Sequence, residues 1–263
     1  MAVKMSSSFR PGASRLRQGI VRIVESASSL AMPLVAESWH RQKHFPASRL
    51  RAVTHVPADV DPVSMYAGYR KAMPAVAVMC RAEELTTAEV ARWVRRHGVT
   101  VTARSSSELA LAVSAGIRSA RLVMHGDGGQ WAPIRWAVNA SVRQFVVDSC
   151  EQIPVLEHYA RRRQQVLVDV DTPDLGAAIA AVCASDRLDL VGLHCPLDRS
   201  PIHAAIAEMA RIRRDAGVVT GRLIVAGALG SAPEALAAVI EDAVADACAE
   251  WSFPRPALAL TPR

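Results

Sequence analysis

Eight short apolar runs, each but the last followed by a helix-like stretch, restrict this chain to very few folds. They lie at residues 75–80, 99–103, 121–125, 144–147, 166–170, 188–194, 222–226 and 257–260. The first six starts fall about 22 to 24 residues apart and the later ones wider, which is room for a strand, a short loop and a three-turn helix. Runs such as Val-Leu-Val-Asp-Val and Leu-Ile-Val-Ala-Gly are apolar on both faces, as parallel strands covered by helices must be. Four helix starts show capping-box spacing, with hydroxyl and carboxyl or amide three residues apart: Thr86 with Glu89, Ser105 with Glu108, Ser149 with Gln152, and Ser231 with Glu234. Eight such units without a break favour a closed (β/α)8 barrel over an open doubly wound sheet.

Composition leaves room for little else. Hydrophobic residues make up 51% of the 263 and aromatics only 5%, so the core is built from Ala, Val and Leu. The formal charge is +6, yet Lys4, Lys43 and Lys71 are the only lysines, and the excess is arginine. From Met1 to Val24 there is no acidic residue, while Lys4, Arg10, Arg15, Arg17 and Arg22 are basic. That stretch reads as a disordered arm, or as an amphipathic helix through Leu16, Ile20, Val24 and Ala27 that docks on the barrel or a partner. A nucleic-acid or membrane contact is the third reading and is set aside. Residues 1–70 are expected to be a basic lead-in, partly disordered or helical, that covers the lower face of the barrel, with 57–62 as a linker. Residues 71–263 form the barrel.

No apolar run reaches the roughly 18 residues a membrane span needs, and no cleavable apolar segment follows the basic start. A Ser-rich, acid-poor start also resembles a transit peptide, but the expected location is the cytoplasm. Cys80, Cys150, Cys183, Cys195 and Cys248 are odd in number and lack C-x-x-C spacing, so reduced, mostly buried thiols are expected, with neither a disulfide framework nor a structural metal.

In a (β/α)8 barrel the chemistry sits at the C-terminal ends of the strands. Those ends carry Cys80, Arg81 and Glu83; Arg104; His125 and Asp127; Asp148 and Ser149; Asp169 and Asp171; His194, Cys195, Asp198 and Arg199; Gly227 and Gly230; and Arg263. His125 and His194 end the third and sixth strands, which are far apart around the ring, so each is expected to be a hydrogen-bonded barrel-top residue rather than a metal ligand. Glu108 is expected to serve its capping box. Cys195 follows His194 directly, so the two point to opposite faces and make a weak nucleophile pair.

The segment from Ala88, AEVARWVRRHGVTVTARSSSELALAVSAGIRSARLVMHGDGGQ, then FVVDSCEQIPVLE and LDLVGLHCPLD, resembles the barrel of the diaminopimelate and ornithine decarboxylases. These are alanine-racemase-like, fold type III pyridoxal-phosphate enzymes, and the likeness is greatest to the bacterial diaminopimelate decarboxylases. It runs from about residue 75 to 263. The resemblance implies a TIM barrel of the alanine racemase/decarboxylase type. Because the sequence ends at the eighth strand, the expectation is a barrel without the C-terminal β domain. In the family a lysine on the first strand holds pyridoxal phosphate as a Schiff base, which requires a primary amine.

The departures matter as much as the matches. An ungapped alignment on AEVARW puts Glu83 where the resemblance implies the lysine, and no lysine follows Lys71. Pro196 replaces the ring-stacking histidine, with Asp198 and Arg199 in place of the following Gly-Ser. Asp169 replaces an arginine, and Thr261 the acid that pairs with the pyridine nitrogen. The phosphate turn keeps only Gly227 and Gly230 before Ser231, a vestigial loop that could still cradle an anion, with Arg263 at the end of the chain.

Two functions are compatible with this pattern. One is a pseudoenzyme: a non-catalytic barrel without a Schiff base that binds a protein partner, either itself or a paralogous decarboxylase that it regulates. The alternative is an enzyme repurposed for chemistry without pyridoxal phosphate at the barrel mouth, with Glu83, His125, Asp169 and His194 as catalytic candidates and Arg104 beside them. No compact acid, base and nucleophile set assigns itself, which favours the first.

Overall fold

A computed structural model describes residues 61–126, 132–230 and 232–262. Helix α1 (Pro62–Ala72) leads into a strand interrupted at Met79, giving β1 (Val76–Val78) and β2 (Cys80–Arg81). A 3-10 turn (Ala82–Thr86) and α2 (Ala88–His97) follow. Then come β3 (Val101–Ala103), α3 (Ser106–Ser114), a 3-10 turn (Ser119–Arg121), β4 (Leu122–His125), α4 (Ala132–Asn139), β5 (Gln144–Val147) and α5 (Gln152–Tyr159). The chain continues through β6 (Gln164–Asp169), α6 (Leu175–Ala184), β7 (Leu188–Pro196), α7 (Arg199–Ala216), β8 (Arg222–Gly227), α8 (Pro233–Glu250) and β9 (Ala257–Pro262).

All strand pairs are parallel, in the order β1-β9-β8-β7-β6-β5-β4-β3-β2. The interruption at Met79 closes the ring. Met79 N donates to Leu260 O at 2.8 Å, and the next amide, of Cys80, donates to Thr100 O at 3.0 Å. One strand thus passes from a partner on one side to a partner on the other, and the eight expected runs form a barrel with helices outside.

Alternation along the strands separates two apolar cores. Inside the ring Met79, Val123, Val146, Leu167 and Ile224 pack together, with Val191 and Ala259 against them. Opposite-facing side chains such as Phe145, Val166, Val168, Leu193 and Leu223 pack against the helices, including Leu156, Val182, Ile206 and Val244. The inner cluster fills the barrel as a plug, so that any polar cavity lies above it.

Three local expectations are corrected. Pro62 begins a helix instead of closing a linker: it sits at the first helical position, where its missing N–H costs nothing, and Asp61 caps it by accepting from Ser64 N at 2.8 Å and Ser64 Oγ at 2.7 Å. This helix crosses the boundary drawn at residue 70, and it packs among the outer helices against α8 and α2 instead of under the barrel. The rest of the expected lead-in, residues 1–60, lies outside the described residues.

Of the capping boxes, Ser105 with Glu108 forms, Ser105 Oγ accepting from Glu108 N at 3.1 Å while Glu108 Oε2 accepts from Arg104 N at 2.9 Å. Thr86 does not cap α2, because the 3-10 turn takes it up and its hydroxyl donates to Glu83 O at 3.0 Å. Ser149 Oγ accepts from Glu151 N at 3.2 Å, whereas Gln152 bonds Asp148 twice, to Oδ1 at 2.6 Å and from its N–H at 3.1 Å. Ser231 lies outside the described residues.

Candidate functional site at the barrel mouth

Above the plug, interior-facing residues at the C-terminal strand ends enclose a cavity of about 480 Å³. Its walls are Arg104, His125, Gly126, Val146, Asp148, Asp169, Asp171 and His194. The register of β6 with β7 sets Asp169 directly beside His194, and His194 Nδ1 lies 2.7 Å from Asp169 Oδ2. A carboxylate there holds the proton on Nδ1 and leaves Nε2 as the acceptor of the neutral ring. His194 is 2% exposed, and its Nε2 has no partner among the described residues.

The two histidines are not far apart. Although β4 and β7 are separated around the ring, their inward side chains converge over the axis, and the His125 and His194 rings meet edge to face with centroids 5.1 Å apart. Distance along the circumference is a poor guide inside so narrow a barrel. Three carboxylates, two imidazoles and one guanidinium therefore share one small space. Among the described residues no group of three or more His, Cys, Asp or Glu is placed to hold a metal.

Gly126 is required by close approach: a Cβ there would lie 2.4 Å from the Gln152 amide and 2.7 Å from Asp148 Oδ1. The Asp148–Gln152 pair thereby fixes one wall of the cavity, a role the sequence reading missed. The adjacency of Asp169 and His194 was legible in principle, since both end neighbouring strands of the ring.

Glu83 is not a wall of this cavity. It lies in the 3-10 turn after β2, half exposed, and pairs with Arg81 at 2.5 Å. The neighbouring Glu84 turns inward instead, toward α1, and accepts from Tyr66 Oη at 2.6 Å, with Cys80 Sγ 3.8 Å away. Burial raises the Glu84 carboxyl above its ordinary range, against the opposing pull of the Tyr66 hydrogen bond and Arg81. The same burial pushes the Cys80 thiol up to about 12, so it is no nucleophile at neutral pH. Cys195 faces the outer core, away from His194. Contrary to the expectation of mostly buried thiols, only Cys80 and Cys195 are fully buried; Cys150 and Cys248 are intermediate and Cys183 is exposed, and none of the five is in a disulfide.

At the turn after β8, Gly227 is explained by packing, since an added Cβ would fall 2.4 Å from Leu197 Cβ. Gly230 O accepts from Tyr69 Oη at 2.9 Å, tying the turn to α1. Thr261 is buried, its Oγ1 3.5 Å from Thr102 Oγ1. Asp127 and Arg263, like Ser231, lie outside the described residues. Lys71 is exposed in the last turn of α1, ahead of the first strand and so at the end of the barrel opposite the cavity.

The closed ring of parallel strands, with its polar cavity at the C-terminal strand ends, defines a TIM barrel. Residues 63–187 match the family model described as pyridoxal-dependent decarboxylase, pyridoxal binding domain. The chain is 30% identical over 177 residues to a diaminopimelate decarboxylase of Actinosynnema pretiosum, covering 57% of this chain and 40% of that protein. It is 31% identical over 153 residues to one of Mycobacterium leprae, covering 48% and 32%. Its matches thus span well under half of these relatives. Solved structures share the fold: a diaminopimelate decarboxylase from M. jannaschii gives a TM-score of 0.65 at 17% identity over 76% of this chain and 58% of that one. The Helicobacter pylori enzyme, solved with L-lysine, gives 0.60 at 15% identity over 87% and 65%. Residues 63–187 are thus similar in sequence to the pyridoxal binding domain of the pyridoxal-dependent decarboxylases, and the barrel shares the fold of solved diaminopimelate decarboxylases.

Proposed function

We propose that the chain is a decarboxylase-like barrel that has left Schiff-base chemistry and acts by binding a protein partner, itself or a related decarboxylase, in the reducing cytoplasm. The observation that carries this reading is that, among the described residues, no lysine amine lies at the mouth. No lysine follows Lys71, Lys71 is at the far end of the barrel, and the aligned Glu83 is a carboxylate engaged with Arg81 outside the cavity. The remaining residues do not fit the cofactor either. A phosphate-bearing ring would meet Asp148, Asp169 and Asp171 against Arg104 alone, and Leu197 packs into the space left by Gly227.

Supplying pyridoxal phosphate with diaminopimelate, lysine or ornithine should give no release of carbon dioxide above buffer. Titration with a purified full-length decarboxylase of the same organism should give a stable mixed species in sedimentation. Turnover, or no association with either that enzyme or a second copy of the chain, would overturn the reading.

One observation favours a second reading, a barrel repurposed for chemistry without the cofactor. The Asp169–His194 pair has the form of an oriented general base, with Nε2 buried in a cavity wall. In that case His194 would take a proton from a bound substrate and Asp169 would steady the imidazolium. His194→Gln would then abolish turnover of the substrate found, while Asp169→Asn would lower it through the wrong tautomer.

A further inference from the structure

The opposite end of the barrel carries an arginine at the start of five consecutive strands. Arg121, Arg143, Arg163 and Arg187 immediately precede β4, β5, β6 and β7, and Arg222 is the first residue of β8. Between α5 and β6 the loop adds Arg161 and Arg162. Here a groove of about 660 Å³ is lined by His158, Tyr159, Arg161, Arg162, Arg163 and Arg187, with Ala160 and Asp186.

These arginines divide into two sets. Arg163 and Arg187 are tethered: Arg163 pairs with Asp189 at 2.8 Å and donates to Asp186 O at 3.1 Å, and Arg187 donates to Ala160 O at 3.2 Å. Their guanidinium groups are held in place before any ligand arrives, which lowers the ordering cost of binding. The Arg161 and Arg162 side chains are exposed, and their guanidinium groups make no hydrogen bond or ion pair with the described residues; only the backbone of Arg162 is engaged, its carbonyl accepting from Gln164 Nε2 at 3.1 Å. They add positive charge that the fold does not use. The Arg135 guanidinium lies 5.9 Å from the ring centre of Tyr159, which lines the groove.

We propose that this groove docks an acidic segment of a protein partner. Arginine and tyrosine are among the side chains that concentrate binding energy at protein interfaces. Asp186 and Asp189 interrupt the basic surface every few residues, which suits carboxylates spaced along a peptide better than the continuous phosphates of a nucleic acid. The proposal rests on the reading that the chain works by binding, and it names the surface and the partner's chemistry.

The test uses the full chain and a fluorescein-labelled hexaglutamate peptide bearing one benzoylphenylalanine, read by anisotropy and by photo-crosslinking. Wild type should bind at low salt and crosslink within residues 158–163 or 186–187. Arg161→Glu with Arg162→Glu should weaken binding at least about tenfold through like-charge repulsion, with an unchanged melting curve. The double glutamine variant should fall between the two. Equal affinity in wild type and both variants, or crosslinks confined elsewhere, would overturn the proposal. So would tighter binding of an oligothymidylate of equal charge through the same two arginines, which would assign the groove to nucleic acid. Trapping of pyridoxal phosphate reads the mouth and leaves this surface untouched, so an adduct there with intact peptide binding would sink the functional reading alone.

Discussion

The two ends of this barrel are opposite in charge and in construction. At the C-terminal end Asp148, Asp169 and Asp171 outnumber Arg104, and the polar groups are recessed, His194 to 2% exposure. At the N-terminal end arginines stand at successive strand starts on the surface, Arg163 with 62% of its side chain exposed. Between them lies an apolar plug of Met79, Val123, Val146, Leu167 and Ile224. Recessed groups are bound into the fold and cost stability when removed; exposed guanidiniums are screened by water and salt and cost almost none. The lower surface is thus free to change for binding, whereas the mouth is not.

Breaking the plug should have the largest effect. Leu167 is fully buried inside the ring, so Leu167→Ala should lose about 3 kcal/mol in urea unfolding, through lost transfer energy and the cavity left behind. At the mouth, Asp169→Leu removes the carboxylate that holds His194 Nδ1 and should cost about 2 kcal/mol, with Asp169→Asn costing less because its oxygen still accepts. A mouth variant no more costly than a surface change would erase the contrast between the ends.

Glu84 sharpens the comparison from the side of the barrel. Its folded pKa lies above the ordinary 4.5, so its contribution to stability is full below that value and is lost as pH rises through the raised one. Glu84→Gln keeps an acceptor for Tyr66 without the buried anion. Relative to wild type its Tm should therefore rise as pH increases above the ordinary 4.5; a constant difference would mean that the carboxyl is not disfavoured by burial. At the lower end, Arg163→Ala should change stability by less than about 1 kcal/mol, because its pair with Asp189 is exposed.

The barrel was legible in the sequence because each strand is a both-sides-apolar run and the spacing is regular. All eight runs are strands, the first divided at Met79. The site was legible residue by residue but not in its geometry. Asp169, His125, His194 and Arg104 do line the mouth, yet the meeting of His125 with His194 depends on how narrow the ring is, which periodicity does not report. Glu83 was misplaced because a 3-10 turn after β2 turns it outward and Glu84 inward, and an ungapped alignment does not register such a turn. Tyr66 and Tyr69, the buried anchors of α1, were hidden in a stretch read as lead-in. The strand-start arginines are visible in the sequence as a residue repeated at the start of five of the eight apolar runs, a signal that emerges only once the strands are placed.

The most direct measurement adds pyridoxal phosphate to the purified protein, follows the absorbance for an aldimine band, traps with borohydride and maps any modified residue. A barrel without Schiff-base chemistry gives no band and no adduct beyond substoichiometric labelling of exposed lysines. A stoichiometric adduct at Lys71 would mean that this lysine reaches a cofactor after all, and would return the chain to the active decarboxylases.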